Sequence, residues 1–412
     1  MVNGCCGPVG EPAACDPSRN PGCDGAARRS PERPAAFARF DAMVANSLCY
    51  ARDRAAAGDH VVGIMCEYTP REIIMAAGGV PACLCGGSAR MAIAGEEDLP
   101  ANLCPLIKST YGYHRTGGNP FLELADLVVA ETTCDGKKKM YERMAESRPM
   151  HVLELPQKPD DADAFAHWLA EVRKLVTALE ERFAITVTDA ALRSAIATMN
   201  RERALRRELA GLMRADAPPL TGRELLDCKT IVSGIPADLD AYAALLRDLA
   251  ERPSPVAGRD PVRVLMTGVP MAHGAERVLD LIEDSGALVV SLESCSGVKP
   301  ILEDVDATAD DPLAAIAHKY FHLPCSVMTR NDARLDSIRA LAREYRADCI
   351  IDLVWQACLT YDCESWLVER TARELGVPYL RIETVYTPSD TARIGVRLEA
   401  LFETVRARSE RA

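Results

Sequence analysis

The chain has 412 residues, 48% of them apolar and 26% charged, with a formal net charge of −12. That length and mix suit two or three ordinary globular domains. The acidic balance argues against non-specific nucleic-acid binding, which needs a basic face, and no apolar run approaches the roughly 20 residues that cross a bilayer.

Residues 1–35 are rich in Gly, Pro, Ala and Arg, lack periodicity and predict a disordered tail. The tail carries Cys5, Cys6, Cys15 and Cys23 in no recognised zinc spacing. No apolar h-region opens the sequence, so the expected compartment is the cytoplasm. There the sixteen cysteines should be free, metal-bound or catalytic. Residues 36–160 alternate helical stretches with the β-type runs HVVGIMC, VPACLCGG, ADLVVAETT and MHVLELPQ, predicting a first α/β domain. Before the stretch REIIMAA, Thr69 suits an N-cap, Pro70 the first helical position and Glu72 a capping box. Residues 161–258 have apolar residues at helical spacing and predict a helical linker or insertion acting as scaffold. Residues 259–412 repeat the first pattern, with VRVLMTG, LVVSLES, CIIDLVW and VPYLRIE as strands. The expected fold class is α/β: two Rossmann-like parallel-sheet domains, a helical segment between them, and a site at their interface.

Cys66, Cys134, Cys295 and Cys358 each close an apolar strand, where open α/β sheets bind ligands. Cys104 and Cys325, each beside a proline, fall between those strands. Three of the six come from each half, and an interdomain crevice suits a buried cofactor. Six thiols aimed at one place point to a soft metal or an iron–sulfur cluster. Cys83 and Cys85 alternate onto one strand face and should pack nearby. Cys363 could aim either way, and Cys49, Cys228 and Cys349 read as packing. In the loop expected after Cys134, Lys137, Lys138 and Lys139 either hold an anion, offset a cluster's charge, or form a solvated turn. The turn GVPMAHG is neither a Walker A loop nor GxGxxG, so ATP hydrolysis by a P-loop is not expected. His114, His273 and His322 lie near these loops, where packing or exposure is the ordinary reading. Glu67 and Glu131 adjoin the thiols. Either could move protons, since burial raises a carboxyl pKa, or support loop amides; Glu67 is the stronger catalytic candidate.

The segments GIMCEYTPREIIMAAGGVP, NLCPLIKSTYGY, ADLVVAETTCDGKKKMYE and PYLRIETVYTPSD resemble the 2-hydroxyacyl-CoA dehydratase and benzoyl-CoA reductase family. The resemblance runs over residues 38–408, and six retained cysteines look most like its double-cubane cluster branch. It implies an [8Fe-9S] double cubane with three cysteines per cubane, at Cys66, Cys104, Cys134, Cys295, Cys325 and Cys358. It also implies a homodimer that reduces a small molecule and receives low-potential electrons from a separate ATP-hydrolysing iron–sulfur activator. Two other functions stay open. One is a dehydratase subunit with a single [4Fe-4S] cluster that acts on a 2-hydroxyacyl-CoA ester; the other is an electron-transfer or scaffold protein without turnover. The family's closing ETDY reads Glu383-Thr384-Val385-Tyr386 here, a lost acid expected to change hydrogen bonding near the site.

Overall fold

Eight short apolar runs become eight strands in the structure, a computed structural model that describes residues 33–410. The four tail cysteines lie outside the described residues. In the first half the strands are β1 (Val61–Ile64), β2 (Val80–Cys83), β3 (Leu127–Glu131) and β4 (Met150–Leu153). In the second they are β5 (Val262–Gly268), β6 (Ala287–Glu293), β7 (Cys349–Trp355) and β8 (Tyr379–Thr384). Each half forms one parallel sheet, in the orders β2-β1-β3-β4 and β6-β5-β7-β8. The orders are the same by position, so the duplicated, Rossmann-like α/β architecture expected from the sequence is present. Every residue of β3, β6 and β7 is buried, as strands covered on both faces require. Each order reverses beside the first strand of its half, which puts the ligand-binding end of each sheet at the carboxyl ends of β1 and β3, and of β5 and β7.

Three cores hold the chain, and all three draw on both halves. One unites Val61, Val128 and Met140 with Met266, Leu353 and Trp355. Another unites Ile64 and Val129 with Trp168, Tyr320, Phe321 and Cys325. The second arises because the helix Pro312–Phe321, which belongs to the crossover from β6 to β7, leaves its own sheet. It packs instead on the helix Ala162–Phe183, where Trp168 Nε1 donates to Ala317 O at 3.0 Å. Burying a side chain of this size contributes roughly 2–3 kcal/mol, so Trp168→Ala would unpin the strap. Because of it, the loop that carries Cys325 lies over the first half.

The segment 161–258 is packed onto the first half. Its helix Asp189–Gly211 packs on the helix Arg71–Ala76, and Ala82 bridges to Val232 on the open side of β2. The capping box expected at Thr69 does not form. Thr69 Oγ1 instead donates to Glu131, Pro70 takes the cap position, and Glu72 accepts from Arg203 at 2.5 Å and Tyr320 at 2.7 Å. A buried carboxylate needs a charged partner more than a helix start needs a second cap. No described helix is long and apolar enough to cross a membrane.

Candidate metal centre

The twelve described cysteines form no disulfide with one another. The six strand-end and proline-flanked thiols do not meet at one point; they gather in two groups of three. Cys66, Cys295 and Cys325 interact with one another, and all three act on the phenol of Tyr68. Cys104, Cys134 and Cys358 form the other group, in which Cys358 hydrogen-bonds Cys104. Each trio draws from both halves. Cys325 reaches Cys66 by the strap described above, and Cys358 closes β7 opposite Cys104 and Cys134.

The second trio sits on three helix starts. Cys104 caps Pro105–Thr116, Cys134 caps Asp135–Met144 and Cys358 caps Leu359–Leu375. The N–H groups of Leu106 and Ile107, of Gly136 and Lys137, and of Tyr361 favour the thiolate forms, although none closes a full capping bond. Such termini carry partial positive charge and are suited to anions. The hydrogen bond with Cys358 lowers the Cys104 pKa and raises that of Cys358, while burial pushes Cys134 up. Lys137, Lys138 and Lys139 therefore stand on a helix, not in the loop expected from the sequence. Lys137 turns inward and donates to Met65 O at 2.9 Å. Burial pulls its pKa down, but Cys66, Tyr141, Cys85 and Cys134 outweigh burial and hold it charged. It thus lies within electrostatic reach of both trios. Lys138 and Lys139 are exposed and pair with Asp135 and Glu142.

The first trio lies in loops and is braced by buried side chains. Burial pushes the Cys66 thiol up to about 12 and also raises Cys295, there against the pull of Lys299. Lys299 Nζ bonds Glu293 and the Tyr361 hydroxyl, both at 3.1 Å. Glu293 also accepts from Arg334 at 3.2 Å and Thr267 at 2.5 Å, and Arg334 pairs with Glu364 as well. Tyr68 donates to Leu323 O at 3.1 Å and anchors the Cys325 loop. Sequence reading missed this brace, because its members stand on five separate elements.

The two carboxylates behave in opposite ways. Burial pushes Glu67 up, but Arg71, at 2.9 Å, with Arg206 and Lys319, outweighs it and leaves Glu67 lowered. Glu131 has no charged partner in contact; burial raises it to about 7 despite the Thr69 hydrogen bond and the more distant Lys137. Of the two, Glu131 is the one set to exchange a proton near neutrality.

A cleft of about 860 Å³, partly open to solvent, adjoins the first trio. Its walls include Cys66, Cys295, Cys83 and Cys85, the apolar Met65 and Met271, and the cations Lys137 and Lys229. The GVPMAHG turn forms its rim. Gly274 has φ +89° there, and a Cβ at that position would come within 2.4 Å of Gly87 O, so only glycine lets the two halves close. His273, on the same turn, lines the cleft; burial and the nearby Lys229 hold it neutral, its pKa lowered to about 3. His114 and His322 lie outside this cleft's walls. Cys363 is exposed on its helix, while Cys228 and Cys349 are buried packing groups. In the closing motif the Val385 carbonyl accepts from Arg277 at 3.2 Å, and Tyr386 packs against Trp355.

Among the described residues no three His, Cys, Asp or Glu side chains are grouped tightly enough to chelate a single ion. Around the two trios the hydroxyls of Tyr141 and Tyr386, Glu131 Oε2 and His273 Nε2 are buried without a hydrogen-bond partner. Buried polar atoms in that state call for a partner. Unpaired hydroxyls, free thiols and helix starts together fit an anionic, sulfur-rich group larger than one ion.

Two parallel sheets of the same strand order, with cysteines gathered past the carboxyl ends of their strands, define a duplicated α/β protein. The 2-hydroxyglutaryl-CoA dehydratase D-component family matches residues 66–405. YjiM of Escherichia coli (strain K12), provisionally named a dehydratase subunit, is 39% identical over 90% of this chain and 98% of its own length. The lactoyl-CoA dehydratase subunit beta of Anaerotignum propionicum is 25% identical over 85% of this chain and 93% of its own. A component of the benzoyl-CoA reductase of Thauera aromatica is 24% identical over 78% of this chain and 84% of its own. The chain belongs to the 2-hydroxyacyl-CoA dehydratase and benzoyl-CoA reductase family.

Proposed function

We propose that the chain is the cluster-bearing component of a low-potential reductase. Cys66, Cys295 and Cys325 would hold one half of an [8Fe-9S] double cubane, and Cys104, Cys134 and Cys358 the other. The observation that carries this reading is the pair of thiol trios, each assembled across both sheets. When bound, such a group supplies single electrons at low potential. The protein's own part is electrostatic and steric. The three helix starts and Lys137 offset negative charge, the brace around Lys299 fixes the first trio, and the cleft beside Cys66 and Cys295 admits a small substrate. Glu131, with its pKa at about 7, can hold or release a proton within electrostatic reach of Cys66, while Glu67, in the cleft wall, stays ionised against Arg71 and positions the loop. The sequence has no P-loop, so the driving energy comes from an ATP-hydrolysing iron–sulfur activator that docks on a homodimer of this chain.

A second reading is favoured by the names of several relatives: a dehydratase subunit with one [4Fe-4S] cluster and a CoA-ester substrate. Iron and sulfide analysis of anaerobically purified protein separates the two. About eight irons per chain supports the double cubane, and about four supports the single cluster.

A further inference from the structure

Two thiols in the cleft wall are left over once the trios are assigned. Cys83 closes β2 and Cys85 stands two residues past its end, in the same cleft wall. Both are partly exposed, both line the cleft beside Cys66 and Cys295, and their side chains hydrogen-bond one another. Cys85 Sγ also donates to Met65 O at 3.3 Å, which holds it toward the thiols of the first trio. The backbone beneath is pinned from both sides. Cys83 N donates to Ile231 O at 2.8 Å, and Leu84 N to Ile64 O at 3.0 Å.

We propose that Cys83 and Cys85 form a second redox site, a dithiol that closes to a disulfide in the wall of the cleft. With a thiol–disulfide oxidant such as glutathione disulfide, the two thiols lose two protons and two electrons. One sulfur–sulfur bond forms between Cys83 and Cys85, the bond of the oxidant breaks, and two molecules of glutathione leave. Two residues along a strand lie about 6.6 Å apart, near the upper limit of Cα spacing that a disulfide accepts. Because the pinned backbone resists adjusting, the disulfide is strained and returns readily to the dithiol, as labile and catalytic disulfides do. The site handles electrons in pairs next to trios suited to one-electron chemistry, and its closure draws two thiols out of the cleft surface.

The proposal does not depend on how many irons the trios hold. Trypsin releases residues 72–90 as one peptide that contains Cys83, Cys85 and no other cysteine. Full-length protein, cluster-loaded and metal-stripped, is equilibrated with glutathione buffers of increasing disulfide content, alkylated with iodoacetamide and digested. The expected result is that this peptide passes from doubly alkylated to unalkylated and two hydrogens lighter, in both forms of the protein. Dithiothreitol should restore double alkylation. In Cys83→Ser the remaining Cys85 should instead carry one glutathione, which shows that attack and resolution need both thiols. A peptide that stays doubly alkylated in every buffer overturns the proposal, as does a disulfide from either thiol to another peptide. Protection from both alkylation and oxidation in the cluster-loaded form alone would make the two thiols ligands, and would overturn it too.

Discussion

The two thiol trios solve one electrostatic problem by different means. Cys104, Cys134 and Cys358 stand at the starts of helices of 12, 10 and 17 residues, so backbone dipoles meet their charge. Cys66, Cys295 and Cys325 stand in loops; Lys299 faces Cys295 and Cys325, Lys137 faces Cys66, and Lys299 is tied through Glu293 to Arg334. Backbone dipoles cannot be removed by a point mutation and are insensitive to pH. A network of buried side chains can lose a member, and the ionised partners left behind become a liability. The second trio should therefore tolerate substitution around it, and the first should not.

The largest expected effect divides the trios directly. Cys66→Ser and Cys295→Ser should each remove the same part of the iron and the same electron-paramagnetic signal. Cys104→Ser, Cys134→Ser and Cys358→Ser should remove the other part. Loss grouped by sheet, with Cys66 and Cys134 behaving alike, would break the comparison. Next in size, Arg334→Leu leaves Glu293 and Glu364 short of a buried cation and should destabilise the fold by about 3–5 kcal/mol in a denaturant titration. No substitution near the second trio's helix starts, short of the thiols themselves, should match it.

Glu131 gives a pH test beside the first trio, best made on metal-stripped protein. Its folded pKa, about 7, lies above the ordinary 4.5. Between those values the folded chain binds more protons than the unfolded one, so stability falls as pH rises from about 4.5 to about 7. Glu131→Gln keeps an acceptor for Thr69 and should remove this loss, gaining about 3 kcal/mol above pH 7 and nothing near pH 4. Thermal denaturation across that range measures it, and an unchanged slope would place the titration elsewhere. Lys137→Met removes a cation within reach of both trios. It should lower the midpoint potential by roughly 60 mV, the one-electron equivalent of about 1.4 kcal/mol. A potentiometric titration that shows no shift would mean that the helix starts suffice. Cys363→Ser, exposed and away from both trios, should change stability by less than about 0.5 kcal/mol and leave iron content intact.

The sheets were legible in the sequence because buried parallel strands are short apolar runs, and LVVAE, ALVVSLE and CIIDLVW have few other readings. The six cysteines stood out for the same reason, at the ends of those runs or beside a proline, Pro105 or Pro324. Their division into trios was not. A count of three per half suggests one trio per half, whereas the strap Pro312–Phe321 crosses over and exchanges partners. Nothing in the local pattern of that helix says which sheet it will cover. The helix after Cys134 was hidden by three consecutive lysines that read as a turn, although Met140, Tyr141 and Met144 form its buried side. Local rules also misled at Thr69 and Glu72. Buried partners 62 residues from Thr69, and 131 and 248 residues from Glu72, claimed the side chains that a capping box would use.

The exchange of partners has a consequence for how the protein is made. Neither trio can close until its last thiol has left the ribosome, and those last thiols are Cys325 and Cys358 in a chain of 412 residues. At about 5–20 residues per second, Cys66 waits many seconds for Cys325, and Cys104 about as long for Cys358. The first sheet can form in that interval with its thiols uncovered. Under the proposed function, the cluster would therefore be loaded late in synthesis or after it, onto thiols that wait for the second half of the chain.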